Sequence, residues 1–121
     1  MHFTVPFADL VCLYQGALCL CHPSFIEGWG VSLTEAMAAG FPVLTLSTLF
    51  VPEVTAGAAE LVDPLSVASF AQGLRRLGSD EAPRSELRTP ELARLGELSW
   101  AQHAEQTAYV IAGTLRTARW R

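Results

Sequence analysis

Two short apolar runs, Ala17–His22 and Pro42–Leu46, flank a segment that leaves the first run through a loop, turns at Gly28 and Gly30, and takes on helical composition from Val31 to Ala39. Each run is bounded by Gly or Pro, and neither alternates polar with apolar residues, which is the pattern of strands covered on both faces. A strand, a helix and a strand in that order make a βαβ unit, whose strands lie parallel and whose crossover is right-handed. The chain is therefore read as α/β. Ala59–Val62 supplies a weaker third strand. Three strands are few for a doubly wound sheet, so the expected architecture is a partial Rossmann-like parallel sheet with C-terminal helices.

The flanking segments follow the same rules. Phe7–Tyr14 has helical composition, with Gly16 as a stop. Gly40 is placed to end the central helix in the left-handed conformation. Asp63 and Pro64 read as the cap and first residue of another helix, with Val67, Phe70, Ala71, Leu74 and Leu77 on one face and Gly78 at its end. Ser79–Thr89 is charged and interrupted by Pro83, and reads as a loop joining short helical pieces. Pro90–Leu98 reads as a helix. Ser99–Gln102 has the form of a capping box, and Trp100, Ala104, Ala108, Ile111 and Leu115 mark the apolar stripe of a final helix.

Composition removes several functional classes. Of 121 residues, 50% are hydrophobic and 17% charged, which excludes a disordered tail and implies more apolar surface than one small domain covers. A protein partner, or self-association through an exposed sheet, would account for that excess. No apolar run approaches the ~18 residues of a membrane span. The first residues lack a signal peptide's basic region, so the chain is read as cytoplasmic. Residues 1 to 74 contain six acids and neither Arg nor Lys, while all eight basic residues are Arg from Arg75 onward. A basic footprint for nucleic acid is absent. Cys12, Cys19 and Cys21 match no C-x-x-C spacing, and they are read as small buried hydrophobes with no metal site.

The chemistry concentrates in Ser24–Gly40, which pairs Glu27 with Glu35 across seven residues. In an open parallel sheet, ligands sit at the carboxyl ends of strands, where this loop begins. The helix that follows presents unpaired N–H groups and a partial positive charge at its first turn, which suits a diphosphate. Gly28 and Gly30 allow turn dihedrals and close approach. Glu35 lies one turn beyond Val31 and can reach a ribose. Two carboxylates around a phosphate-binding turn suit a nucleotide-sugar. Paired carboxylates also serve glycoside hydrolysis, but the glycines and helix start between these two favour a phosphate-bearing donor. Trp29 either lines a sugar pocket or packs the turn, and Glu53 either approaches the nucleotide or lies in solvent. His22 and His103 are read as structural.

From about Phe3 onward the chain resembles the C-terminal part of retaining glycosyltransferases of the glycosyl transferases group 1 family, which have the GT-B fold. The matching pieces are Leu10–Tyr14, Pro23-Ser24, Glu27-Gly28-Trp29-Gly30, Glu35–Gly40, Pro42-Val43, Pro52-Glu53-Val54, Val62-Asp63-Pro64 and Ser99-Trp100. The resemblance implies that residues 1–121 form one partial domain, the C-terminal half of a GT-B domain and roughly the last third of an enzyme, which binds a nucleotide-diphosphate sugar as co-substrate. Glu27, the catalytic residue of the site, would lie beside the transferred sugar and help fix its hydroxyls. Glu35 would hold the ribose, and the backbone at Gly30, Val31 and Ser32, with Gly28 and Trp29 beside it, would contact sugar and diphosphate. Transfer of a hexose, as in mannosyltransferases, to an acceptor hydroxyl with retention would follow, without metal or other cofactor.

Where the chain departs from that family, activity is in question. Family members carry an N-terminal domain that binds the acceptor glycan or lipid, and an Arg/Lys pair that clamps the diphosphate. Neither is present here, so the isolated chain is expected to have little or no activity. Two alternatives stand beside this reading. One is a non-catalytic interaction module completing a separately encoded partner, and the other is a GT-B relative with phosphorylase or epimerase activity.

Overall fold

The computed structural model describes residues 4–117. Three strands, β1 (Leu20–His22), β2 (Val43–Leu46) and β3 (Glu60–Val62), form one parallel sheet in the order β1-β2-β3. Leu20 pairs with Val43 and His22 with Thr45, while Leu44 pairs with Glu60 and Leu46 with Val62. The α/β class and the parallel sheet expected from the alternating pattern are therefore present. Among the described residues no helix is long and apolar enough to cross a membrane.

Helix α1 (Phe7–Gly16) precedes the sheet, α2 (Val31–Ala38) links β1 to β2, and the short α3 (Val51–Thr55) precedes β3. Successive residues of β2 face opposite sides. Val43 packs with Leu33, Ala36 and Met37 of α2, and Leu44 and Leu46 pack with Val62 and Leu77 on the other side. All four residues of β2 are buried. Burying one such side chain is worth about 1.5–3 kcal/mol, so this strand and the helices on its two faces carry the core.

The end of α2 follows from Gly40, whose φ of 68° is left-handed. Its N–H donates to the Met37 carbonyl at 3.0 Å, and that of Phe41 donates back to Ala36 at 2.9 Å. This is the Schellman closure that glycine makes possible. It turns Phe41 into the cluster that holds Ala36 and Met37.

Several expectations are corrected. The first strand is not covered on both faces, since Cys21 is exposed, and among the described residues β1 is an edge strand while β2 has a neighbour on each side. Cys12 is also exposed and Cys19 half-buried, so the cysteines are not core residues. Helix α4 (Val67–Ser79) is capped by Ser66, whose Oγ accepts the Ser69 N–H at 3.1 Å. Asp63 instead closes a turn by accepting the Leu65 N–H at 2.8 Å, which leaves Pro64 before the helix.

The segment read as a loop is helical. α5 spans Glu81–Glu97 without interruption. Pro83 sits in its first turn, where an absent N–H costs nothing, and Pro90 is tolerated inside because side chains anchor both ends. Arg84 donates to the Leu77 carbonyl at 2.6 Å, and Arg94 donates to Val54 and Glu53 carbonyls at 2.9 Å each. The last helix, α6 (Trp100–Thr117), forms as expected, yet Trp100, Ile111 and Leu115 of its stripe are exposed.

Candidate functional site

The loop from Pro23 to Gly30 leaves the carboxyl end of β1 and feeds α2. His22, the last residue of β1, is pinned through its backbone carbonyl, which accepts the Thr45 hydroxyl at 3.0 Å. Its ring faces the α2 side, with Nε2 2.8 Å from Glu27 Oε1 and Nδ1 3.4 Å from Ser32 Oγ. An ionised carboxylate only accepts, so Nε2 carries the proton in the neutral ring and Nδ1 is left to accept from the Ser32 hydroxyl. One imidazole thus links the loop carboxylate to the first turn of the helix. Hydrogen bonds from Ser24 and then His22 hold the Glu27 carboxyl below the usual carboxylate range.

Gly30 is the N-cap of α2, with φ 75° and ψ 53°. Its carbonyl accepts the N–H groups of Leu33 at 2.9 Å and Thr34 at 3.3 Å, which leaves the Val31 and Ser32 amides without a partner in the helix. A Cβ at Gly30 would lie 2.7 Å from Leu33 Cδ1, so both backbone and packing require glycine there. Gly28 differs: a Cβ would meet nothing within 4 Å, and its φ is not among the positive ones. The turn does not demand a glycine at that position.

Glu35 stands on the outer face of α2, where it lines a cleft of about 580 Å³ between that helix and the α5–α6 junction. Trp29 and Val31 share the wall with Leu98, Trp100 and His103, and the surface is mainly apolar. The Trp29 ring meets the His103 ring edge to face, with centroids 5.7 Å apart. Trp29 therefore both lines a cleft and packs, its partner being α6 and not the turn. Burial chiefly, and the Glu35 charge secondarily, push the Tyr14 hydroxyl above its ordinary value.

The expected site residues thus fall into two groups. Glu27 and Ser32 are joined through His22, while Trp29, Val31 and Glu35 line the cleft, and Gly30 lies between the groups as the cap. Glu27 is not on the cleft wall. Glu53 is exposed in the first turn of α3, and its carbonyl accepts from Arg94. His22 is the residue that sequence reasoning left outside the site, although a histidine ending a strand five positions before the first acid was the available signal. Among the described residues no group of three or more His, Cys, Asp or Glu could hold a metal ion.

Comparison with known proteins supplies the lineage. The family described as glycosyl transferases group 1 matches residues 1–93. O-antigen chain mannosyltransferase B of Escherichia coli is 33% identical over 103 residues, covering 85% of this chain and 27% of that protein. A D-inositol 3-phosphate glycosyltransferase of Corynebacterium aurimucosum is 29% identical over 112 residues, covering 91% of this chain and 27% of the relative. The MMP alpha-(1->4)-mannosyltransferase of Mycolicibacterium hassiacum is 33% identical over 114 residues, covering 84% and 26%. The chain spans about a quarter of the length of these relatives. A match over residues 1–93 takes in the sheet, the loop and both acids, and the chain belongs to the glycosyl transferases group 1 family.

Proposed function

We propose that this chain is the donor-binding portion of a retaining sugar transferase, forming a partial GT-B domain that works with an acceptor-binding part. The observation that carries the reading is the turn at the carboxyl end of β1, where left-handed Gly30 opens α2 and leaves the Val31 and Ser32 amides for an anion. In this reading those amides hold the donor diphosphate, Glu27 fixes hydroxyls of the transferred hexose, and Glu35 holds the ribose. His22 positions Glu27 by occupying Oε1, which leaves Oε2 for a sugar hydroxyl. The hexose passes to an acceptor hydroxyl with retention, the leaving phosphate taking the acceptor's proton. Amides stabilise the leaving charge, and no metal cofactor is required. The names of the relatives favour mannose as the transferred sugar.

Affinity sets the scale of activity. A helix terminus contributes about 0.3–1 kcal/mol toward an anion and each charge-assisted hydrogen bond about 1.5–3 kcal/mol, whereas micromolar binding needs about 8 kcal/mol. The helix terminus and two amide contacts by themselves correspond to donor binding in the millimolar range. Titration with nucleotide-activated mannose and glucose, followed by backbone NMR, tests this. Signals from Gly28 to Glu35 shift at millimolar donor. If they ignore every donor at tens of millimolar while other residues respond, the site assignment fails.

A second reading, an interaction module completing a partner, draws on α6, where Tyr109, Val110, Ile111 and Leu115 are all exposed. Gel filtration separates the two: a monomer that binds no apolar dye counts against the module.

A further inference from the structure

The His22 imidazole is 19% exposed and has a partner at each nitrogen, Glu27 Oε1 at 2.8 Å and Ser32 Oγ at 3.4 Å. In the neutral ring Nε2 donates to Glu27 and Nδ1 accepts, so the single O–H of Ser32 is directed at the ring. A proton taken up at Nδ1 reverses the second bond. The ring then donates at both nitrogens, Ser32 Oγ accepts, and the hydroxyl hydrogen is free to be given to another acceptor.

Charge sets when that reversal is favoured. Residues 1 to 74 contain neither Arg nor Lys, and among the described residues the ion pairs made by Arg go to Glu60, Glu81, Glu86 and Glu97, not to Glu27 or Glu35. The elements packed against His22 add no cation: β2 has no ionisable side chain, residues 23–30 have Glu27 alone, α2 has Glu35 alone, and Cys21 is the neighbour on the strand. A diphosphate at the start of α2 therefore brings negative charge to a place already flanked by two carboxylates. The imidazole is the group at hand that can offset it. A nearby anion favours the charged form of a titrating base, and by linkage the charged form favours the anion by the same factor.

We infer that the donor diphosphate binds together with a proton, which His22 takes at Nδ1 so that the Ser32 hydroxyl turns from the ring to a phosphate oxygen. This rests on the donor-binding reading above and adds two roles to it. Ser32 meets the ligand through its side chain as well as its amide, and His22 is a positioning residue acting through Ser32 and Glu27. No covalent bond forms or breaks beyond the N–H gained: one proton passes from solvent to the ring, and the hydroxyl hydrogen changes acceptor. Affinity is then greatest below the midpoint of the free ring, falls as pH rises between the free and the donor-bound midpoints, and levels off above both.

Proton NMR of the His22 ring from pH 5 to 8, with and without nucleotide-activated mannose at tens of millimolar, tests the inference. The donor's phosphates keep their charge over that range, so a change of midpoint belongs to the protein. The His22 midpoint rises by about one pH unit with donor, equivalent to donor binding about tenfold tighter to the charged ring. In Ser32→Ala most of that rise is lost. His22→Gln, whose amide can still donate to Glu27 and accept from Ser32, binds donor with the same affinity at pH 6 and pH 8. If backbone signals of residues 28–35 respond to donor while the His22 midpoint stays where it was, the inference falls and the donor-binding reading stands. A pH dependence that survives in His22→Gln overturns the inference as well, and the midpoint in the parent chain decides the matter even if that variant does not fold. Silence of residues 28–35 toward donor at every pH removes both readings together.

Discussion

The sheet and α6 are both apolar in sequence, yet they end in opposite environments. Leu33, Met37, Leu44 and Leu77 are 0% exposed, whereas Trp100 is 93% and Tyr109 75% exposed. Helices α2 and α4 each lie on one face of a strand pair, so their apolar residues meet β2 from both sides. Helix α6 packs on the rest of the chain near its start, where His103 meets Trp29, while Tyr109, Val110, Ile111 and Leu115 farther along it are exposed. Burial is thus a property of where topology puts an element. An apolar stripe at helical spacing secures a helix but does not by itself secure a partner.

Mutations sharpen that contrast. Leu44→Ala should cost the most, about 2–5 kcal/mol in denaturant unfolding, since it empties space between β2 and α4. Arg94→Ala follows. It removes charged donors from two backbone carbonyls of α3, each worth about 1.5–3 kcal/mol, and amide exchange in α5 should accelerate ahead of exchange in β2. Leu115→Ala, at 60% exposure, should fall within about 0.5 kcal/mol of the parent. A loss there comparable to that of Leu44→Ala would mean that α6 belongs to the cooperative core, and the contrast would fail.

The smallest effect is spectroscopic and concerns Glu27. Because Ser24 and His22 favour the charged form of Glu27, its carboxyl midpoint should fall below the ~4.3 of an unperturbed glutamate. The sign follows from the lowered value: the contacts are fully present above the ordinary carboxylate range and are lost as pH falls through the depressed midpoint. Carbon-detected NMR of the Glu27 side chain checks it, and His22→Phe should move the midpoint upward.

What could be read in advance depended on punctuation. The strands and α2 were legible because Gly16, Pro23, Gly30, Gly40 and Pro42 bound them, and each of these residues acts locally. Edge and centre were not legible. Ala17–His22 and Pro42–Leu46 look alike as sequence, and only the strand order decides which is flanked twice. Helix α5 was hidden by Pro83, Pro90 and a dense run of charge, because the forces that hold it are Arg84 and Arg94 reaching carbonyls of other elements. At the site, the spacing of Glu27 and Glu35 was plain, while the imidazole tying Glu27 to Ser32 required knowing how the loop folds back. The separation of Glu35 into an apolar cleft depended on α6, whose path no local signal describes.

The Arg94 contacts join residues 40 and 41 positions apart. Such a closure is entropically remote for an unfolded chain and follows the pairing of nearer segments. During synthesis, α3 is complete well before Arg94 emerges, and its last turn waits with bare carbonyls. The fastening of α3 to α5 through Arg94 is therefore a late event in assembly, made after the segments it joins have formed.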